Sequence, residues 1–398
     1  MSTPTATLGE LCTFRHGGTP SKSNPEYWGG EIPWVSPKDM KTTLLVGSED
    51  SITKKGVEGS ATSVVPPGSI LTVVRSGILA HTVPFAVAGR PLTFNQDIKA
   101  IQVADTRVRS EYVYWFLRSR EHEILSRGVK KGATVHSLQS GFLEQLAIPL
   151  LPDTQQNRIV DLLSRAENIV RMRREAEQRA KEIIPALFLD MFGDPATNPK
   201  GWQLMSLGDV FAQKPNYGTM IPARAELMPW LCLRVANIQG GRLTLADRKY
   251  VSLPADAVER HEVRSGDILM ARAIGSVDHL GKCVVAQVEV GKWAFDSHLM
   301  RIRLRADRAD PVWLQALLSS EGGRRLFLEK TRRTAVQFNI NTKEMATIRV
   351  PVPPVDRQRA FATWVTLSGG LDSQQRSASV AAEGAFQSLL AGAFGEAG

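Results

Sequence analysis

An apolar stretch ends in the elbow Ile148-Pro149-Leu150-Leu151-Pro152. Apolar residues then return at Ile159, Leu162, Ala166, Ile169, Ala176, Ala180, Ile183 and Leu187. Seven-residue spacing predicts a long amphipathic helix with one apolar seam, interrupted only at Arg173. The pattern occurs twice. Ile348-Arg349-Val350-Pro351-Val352-Pro353-Pro354 repeats the elbow, and Gln358 stands where Gln156 stood, at an offset of 358 − 156 = 202. At that offset Phe361 falls on Ile159, Trp364 on Leu162, Leu371 on Ile169, Leu389 on Leu187, Phe394 on Phe192 and Gly395 on Gly193. A gapless offset over about fifty residues marks an internal duplication.

Each helix is preceded by a segment of mixed pattern. Thr7-Leu8-Gly9-Glu10-Leu11 is repeated as Ser206-Leu207-Gly208-Asp209-Val210. The turn and β-branched strand Pro67-Gly68-Ser69-Ile70-Leu71-Thr72-Val73-Val74-Arg75 is repeated as Ser265-Gly266-Asp267-Ile268-Leu269-Met270-Ala271-Arg272, each delivering an arginine at its end. Phe94–Ile101 pairs with Phe295–Ile302, and amphipathic helices follow around Glu111–Glu123 and Pro311–Glu329. Basic segments come next, Arg127–Gly132 and Lys330–Arg333, then polar turns at Thr134–Ser140 and Val336–Thr342. Residues 1–152 and 202–354 therefore read as two α/β modules, 153–193 and 355–395 as two long helices, and 194–201 as a turn-rich linker. Matched spacings drift in the modules and hold in the helices, so the modules read something and the helices set a distance. Gly369-Gly370 and Gly384 predict a looser second helix.

Composition narrows the partner. The formal net charge of +9 favours an acidic one, of which nucleic acid is the commonest. Three scattered cysteines, Cys12, Cys232 and Cys283, fit a reducing cytoplasm and no disulfide framework. Met1–Leu8 lacks the pattern of a signal peptide, and no apolar run is long enough to span a membrane.

Catalytic chemistry is not in view. Neither GxGxxG nor GxxxxGK[ST] occurs, nor the Asn/Asp-Pro-Pro-aromatic tetrapeptide of amino-methyltransferases. His279 and Cys283 stand alone as a metal-like pair, and none is expected to bind metal. Asp97-Ile98-Lys99 resembles the end of a nuclease signature, but its duplicate His298-Leu299-Met300 loses both charges. No catalytic residue is expected.

With these residues named, the chain resembles the specificity subunit of type I restriction–modification enzymes. The resemblance rests on the Leu-Gly-Glu/Asp openings, Gly17-Gly18-Thr19-Pro20-Ser21, Ile32-Pro33-Trp34-Val35 with Asp39-Met40, Gly68-Ser69-Ile70-Leu71, the two Pro–Gln elbows and Leu187–Pro195. It implies an α/β fold of α+β modules: two duplicated target-recognition domains separated by two long antiparallel coiled-coil helices, with pseudo-twofold symmetry. It further implies a non-catalytic subunit that binds a bipartite double-stranded DNA target and scaffolds two methyltransferase subunits for adenine methylation. S-adenosylmethionine would sit on those partners and no cofactor on this chain. Motor-nuclease subunits join to make the restriction enzyme, and no membrane is involved.

Recognition side chains are expected at strand ends and polar loops, where Arg and Lys can reach guanine and Asn and Gln adenine. In the first module these are Lys22, Lys38, Arg75, Ser76, Lys130, Lys131, Thr134, His136 and Ser137. In the second they are Arg234, Asn237, Arg272, Lys282, Arg332, Arg333, Gln337 and Asn339. Arg75 and Arg272 lead as equivalent ends of a duplicated strand, against the alternative of arginines paired with carboxylates. Lys130, Lys131, Arg332 and Arg333 suit phosphate better than bases, against the alternative of a solvated loop. Two other classes stay open. An enzyme with unrecognised nuclease or methyltransferase motifs would bind S-adenosylmethionine alone, and a protein-only scaffold would show no DNA affinity at any salt.

Overall fold

The structure, a computed structural model, describes residues 3–274, 280–289, 291–333 and 338–395. The chain forms two compact units, Met1–Arg174 with Ser377–Gly398, and Glu175–Arg376. Each is a mixed α/β module that also holds a stretch of each long helix.

In the first unit a five-stranded sheet runs in the order Cys12–His16, Ile98–Val103, Ile70–Val73, Phe85–Ala88, Leu44–Leu45. Its pairs are antiparallel except the last, which is parallel. Ile70–Val73 is buried at every position, Thr72 included, as suits a central strand covered on both faces. The helix Ser110–Ser119 buries Tyr112 through Leu117 in the same core. A second sheet joins Asp50–Ile52, Trp28–Val35 and Thr93–Phe94. The duplicated Leu-Gly-Glu opening is a capped helical turn. Glu10 Oε2 accepts from Thr7 N at 2.7 Å and Thr7 Oγ1 from Glu10 N at 3.3 Å. Gly9 fits a close approach there, since a Cβ would stand 3.2 Å from the Glu144 carbonyl oxygen. The copy Ser206–Val210 repeats the capping box, with Gly208 equally close to the Ala346 carbonyl.

In the second unit the order is Asn216–Tyr217, Leu299–Ile302, Ile268–Ala271, Cys283–Val285, all antiparallel. A further sheet joins Tyr250–Val251, Trp230–Leu233 and Trp293–Phe295. In each unit the opening strand pairs antiparallel with the strand of the elbow, Thr5–Thr7 with Ala147–Pro149 and Gln203–Ser206 with Arg349–Val352.

The long helices are Asp153–Phe192 and Val355–Gly395, and the second is continuous through Gly369, Gly370 and Gly384. In the first unit Phe394 packs on Tyr112 and Phe116, Phe386 on Trp115, and Arg174 pairs with Glu383 at 2.5 Å. In the second unit Phe188 and Phe192 pack edge-on against Phe361.

Only part of the expected seam is covered: Ile159, Ala166 and Leu187 pack against the cores, while the rest of the buried face lies one position along. Leu162, Ile169 and Ile183 are 45%, 51% and 57% exposed, whereas Leu163, Val170, Phe188 and Phe192 are buried. The helix carries two neighbouring apolar rows, about 100° apart. The buried row begins at Gln156, a polar residue, so hydrophobicity alone points to its neighbour.

Candidate nucleic-acid interface

The first module carries a small three-stranded sheet in the order Val129–Lys130, His136–Leu138, Arg75–Ser76. Lys130 lies opposite Ser137, and Ser137 opposite Arg75. Cross-strand partners share a face, so the three form one row. All three are exposed, while Leu138 on the other face is buried in the core. The structure thus gathers three of the expected residues onto one outward surface. None has a side-chain hydrogen bond or ion pair among the described residues. Lys131 and Thr134 are exposed on the loop beside this row.

Ser76 and His136 belong to the opposite parity. Ser76 Oγ accepts from Ile78 N at 3.3 Å, starting a short helical turn, and His136 Nδ1 accepts from Gly132 N at 3.2 Å. Both organise the loop. Lys22 is exposed at a turn. Lys38 is held by Asp50 at 2.9 Å and Glu49 at 3.2 Å, and these bonds, that to Asp50 first, hold its ammonium above the ordinary lysine range.

The second module repeats the small sheet as Ala273–Ile274, Phe338–Asn339 and Arg332–Arg333. Here Asn339 lies opposite both Ala273 and Arg332. The supposed equivalence of Arg75 and Arg272 is corrected by this register. Leu138 N donates to Val74 O, and Ile340 N to Arg272 O. Arg272 therefore occupies the place of Val74, and Ala273 that of Arg75. One residue of slip puts a side chain on the other face of a strand. The Arg272 guanidinium accordingly turns inward, 4.0 Å from the Tyr217 ring centroid, with Nε donating to Ser297 O at 2.9 Å. Nη1 reaches Asn339 Oδ1 at 3.4 Å.

Arg234 and Asn237 also serve the fold. Arg234 bonds Asp247 Oδ2 at 2.6 Å, which holds that carboxyl below the usual range. Asn237 is buried and its amide donates to Thr244 O at 2.9 Å. Lys282 is exposed beside the strand Cys283–Val285. Arg332 and Arg333 form the strand paired with Phe338–Asn339, and Gln337 lies outside the described residues. Lys99 is buried within the five-stranded sheet and Asp97 bonds Asn95, so the nuclease-like triplet is part of the sheet. Tyr217 and Ser297 are the contributors that sequence reasoning missed. Tyr217 stands in the short strand Asn216–Tyr217, and only the stacking geometry shows its part.

Among the described residues no helix is long and apolar enough to cross a membrane. Residues 4–182 match the family model of the type I restriction modification DNA specificity domain. Over 182 residues the chain is 40% identical to a type I restriction enzyme specificity subunit of Escherichia coli, covering 44% of this chain and 45% of that one. Over 226 residues it is 30% identical to another from Methanocaldococcus jannaschii, covering 52% and 51%. The matches thus span about half the length of these relatives. The chain as a whole has the fold of a type I S subunit: that of M. genitalium superimposes with a TM-score of 0.55 at 15% identity, over 98% of this chain and 96% of that one. A chain from a type I restriction–modification assembly superimposes with a TM-score of 0.59 at 18% identity, over 99% and 97%.

Proposed function

We propose that this chain is the DNA-sequence-specificity subunit of a type I restriction–modification system. Each module reads one part of a bipartite double-stranded target. The reading is carried by the exposed Lys130–Ser137–Arg75 row on a module of the DNA specificity family. Unpartnered cations on an exposed ribbon can enter a major groove or meet phosphates, as nucleic-acid recognition requires. The second module repeats the ribbon with different side chains, so the two half-sites need not match.

The subunit performs no chemistry itself. The two long helices carry two methyltransferase subunits, which bring S-adenosylmethionine and methylate adenine, and motor-nuclease subunits complete the restriction enzyme. The buried free thiols of Cys12, Cys232 and Cys283 suit the reducing cytoplasm.

Co-expression with the methyltransferase subunit of a type I system, followed by methylation sequencing of the host DNA, tests the proposal. The expected result is one bipartite motif with a fixed unread spacer, dependent on this chain. Methylation at a continuous motif, or methylation that persists without the chain, would overturn it.

A further inference from the structure

The second module places Arg272, Tyr217, Ser297 and Asn339 in one connected arrangement. Arg272 is held on three sides: the Tyr217 ring at 4.0 Å, Ser297 O at 2.9 Å from Nε, and Asn339 Oδ1 at 3.4 Å from Nη1. Tyr217 is itself fixed. Its hydroxyl oxygen accepts from Thr342 N at 3.2 Å, and its strand pairs with Leu299–Ile302. Arg272 O also accepts from Ile340 N at 3.2 Å, so backbone and side chain both tie the Asn339 strand to this arginine.

Two of its five N–H donors are engaged and its face lies on the Tyr217 ring, so the guanidinium is fixed in place. What it does is orient a carboxamide, because a donor beside Oδ1 settles which end of Asn339 is oxygen. Oδ1 keeps a second lone pair, and Nδ2 has no partner among the described residues. Asn339 is half-buried, at the centre of the three-stranded ribbon whose counterpart carries the exposed row of the first module. One free acceptor and one free donor on neighbouring atoms match the N6 amino group and N7 of adenine in the major groove. In the first module the corresponding place belongs to Ser137, whose hydroxyl is not selective between bases.

We propose that Asn339 reads an adenine in the half-site of the second module, and that Arg272, stacked on Tyr217, is the positioning residue that presents its carboxamide. This rests on the DNA-reading function proposed above. The test uses the full subunit with its methyltransferase and methylation sequencing of Asn339→Ala, Asn339→Asp, Arg272→Leu, Arg272→Lys and the Asn339→Ala/Arg272→Leu pair. Asn339→Ala should relax an A·T requirement at one position of one half-site, by on the order of tenfold to a hundredfold. Asn339→Asp, which keeps the partner of Arg272 but cannot donate to N7, should lose adenine at that position and favour cytosine. Arg272→Leu should relax the same position and no other, Arg272→Lys should restore part of the preference, and the double variant should be no looser than Asn339→Ala. An unchanged motif in Asn339→Ala, relaxation at different positions, or effects that add would overturn the assignment. Should Arg272→Leu not fold, as its melting curve would show, the two Asn339 variants decide alone. Absence of any bipartite motif with the wild-type chain would instead remove the DNA-reading function itself.

Discussion

Gln156 and Gln358 make the same three hydrogen bonds, each within its own unit. Oε1 accepts the N–H of the residue that caps a module helix, Arg109 at 3.0 Å and Asp310 at 2.8 Å. Nε2 donates to Arg107 O at 2.7 Å and Leu151 O at 2.8 Å in one, and to Arg308 O at 3.3 Å and Pro353 O at 2.7 Å in the other. Both glutamines are fully buried. The Pro–Gln elbow thus fastens the first turn of each long helix to its module through a buried carboxamide that bonds backbone groups of the module and of the elbow.

Gln156→Leu and Gln358→Leu should each cost about 2–5 kcal/mol, because buried donors and acceptors lose their partners. Gln156→Glu should be no milder, since a carboxylate can accept from Arg109 N but cannot donate to two carbonyls. Urea unfolding of the three variants measures this. Losses under 1 kcal/mol would show that the elbow holds without its amide.

Arg75→Ala should relax the motif in one half-site only, by about 1–3 kcal/mol for a lost bidentate base contact. Lys130→Ala should weaken binding to all sequences alike and lower the log–log salt slope by about 0.9. Lys38→Ala should do neither, since Asp50 and Glu49 already neutralise that ammonium. Affinity measured across a salt series, together with methylation sequencing, separates the three.

Acid should weaken the second module through His261. Burial, first, and then the nearby Arg260 and Arg301 charges lower its pKa below the ordinary 6.5, against a hydrogen bond with the Tyr217 backbone. A depressed folded pKa means that the unfolded chain binds the proton first. The contribution is therefore complete above about pH 6.5 and is lost as pH falls through the folded value. His261→Gln should flatten that part of the stability curve. Denaturation of both proteins at about pH 7.5 and pH 5 checks it, and parallel curves would refute it.

Four residues inserted near Glu177 and four near Ser379 should lengthen both helices by about 6 Å each, close to one full turn. If the helices set the distance between the modules, the doubly extended subunit keeps both half-sites and methylates across a longer spacer. An active subunit with an unchanged spacer would leave the helices as a docking platform only.

The duplication makes much of the architecture legible. The paired openings are capping boxes, the paired elbows end in buried glutamines, and the polar turns return as the central strands of the small ribbons. What the sequence hides is parity. Leu162 and Leu163 are adjacent and equally apolar, and only packing against the module separates them. Arg75 and Arg272 look matched because each ends an apolar strand, yet one residue of drift between the copies sends them to opposite faces. Stacking of Arg272 on Tyr217 joins residues from distant strands, and no local spacing signals it.

The core around Tyr112, Trp115 and Phe116 is closed by Phe386 and Phe394, and Arg120 donates to the Phe394 carbonyl across 274 positions of chain. On the ribosome the first module therefore emerges early and waits. Its aromatic patch lacks these partners while the whole second module is synthesised, since Phe386, Leu390 and Phe394 come later in the chain than every other buried residue of the two main cores. The domain that starts first finishes last, and a nascent chain stalled before Phe386 should be bound by chaperones that recognise apolar surface.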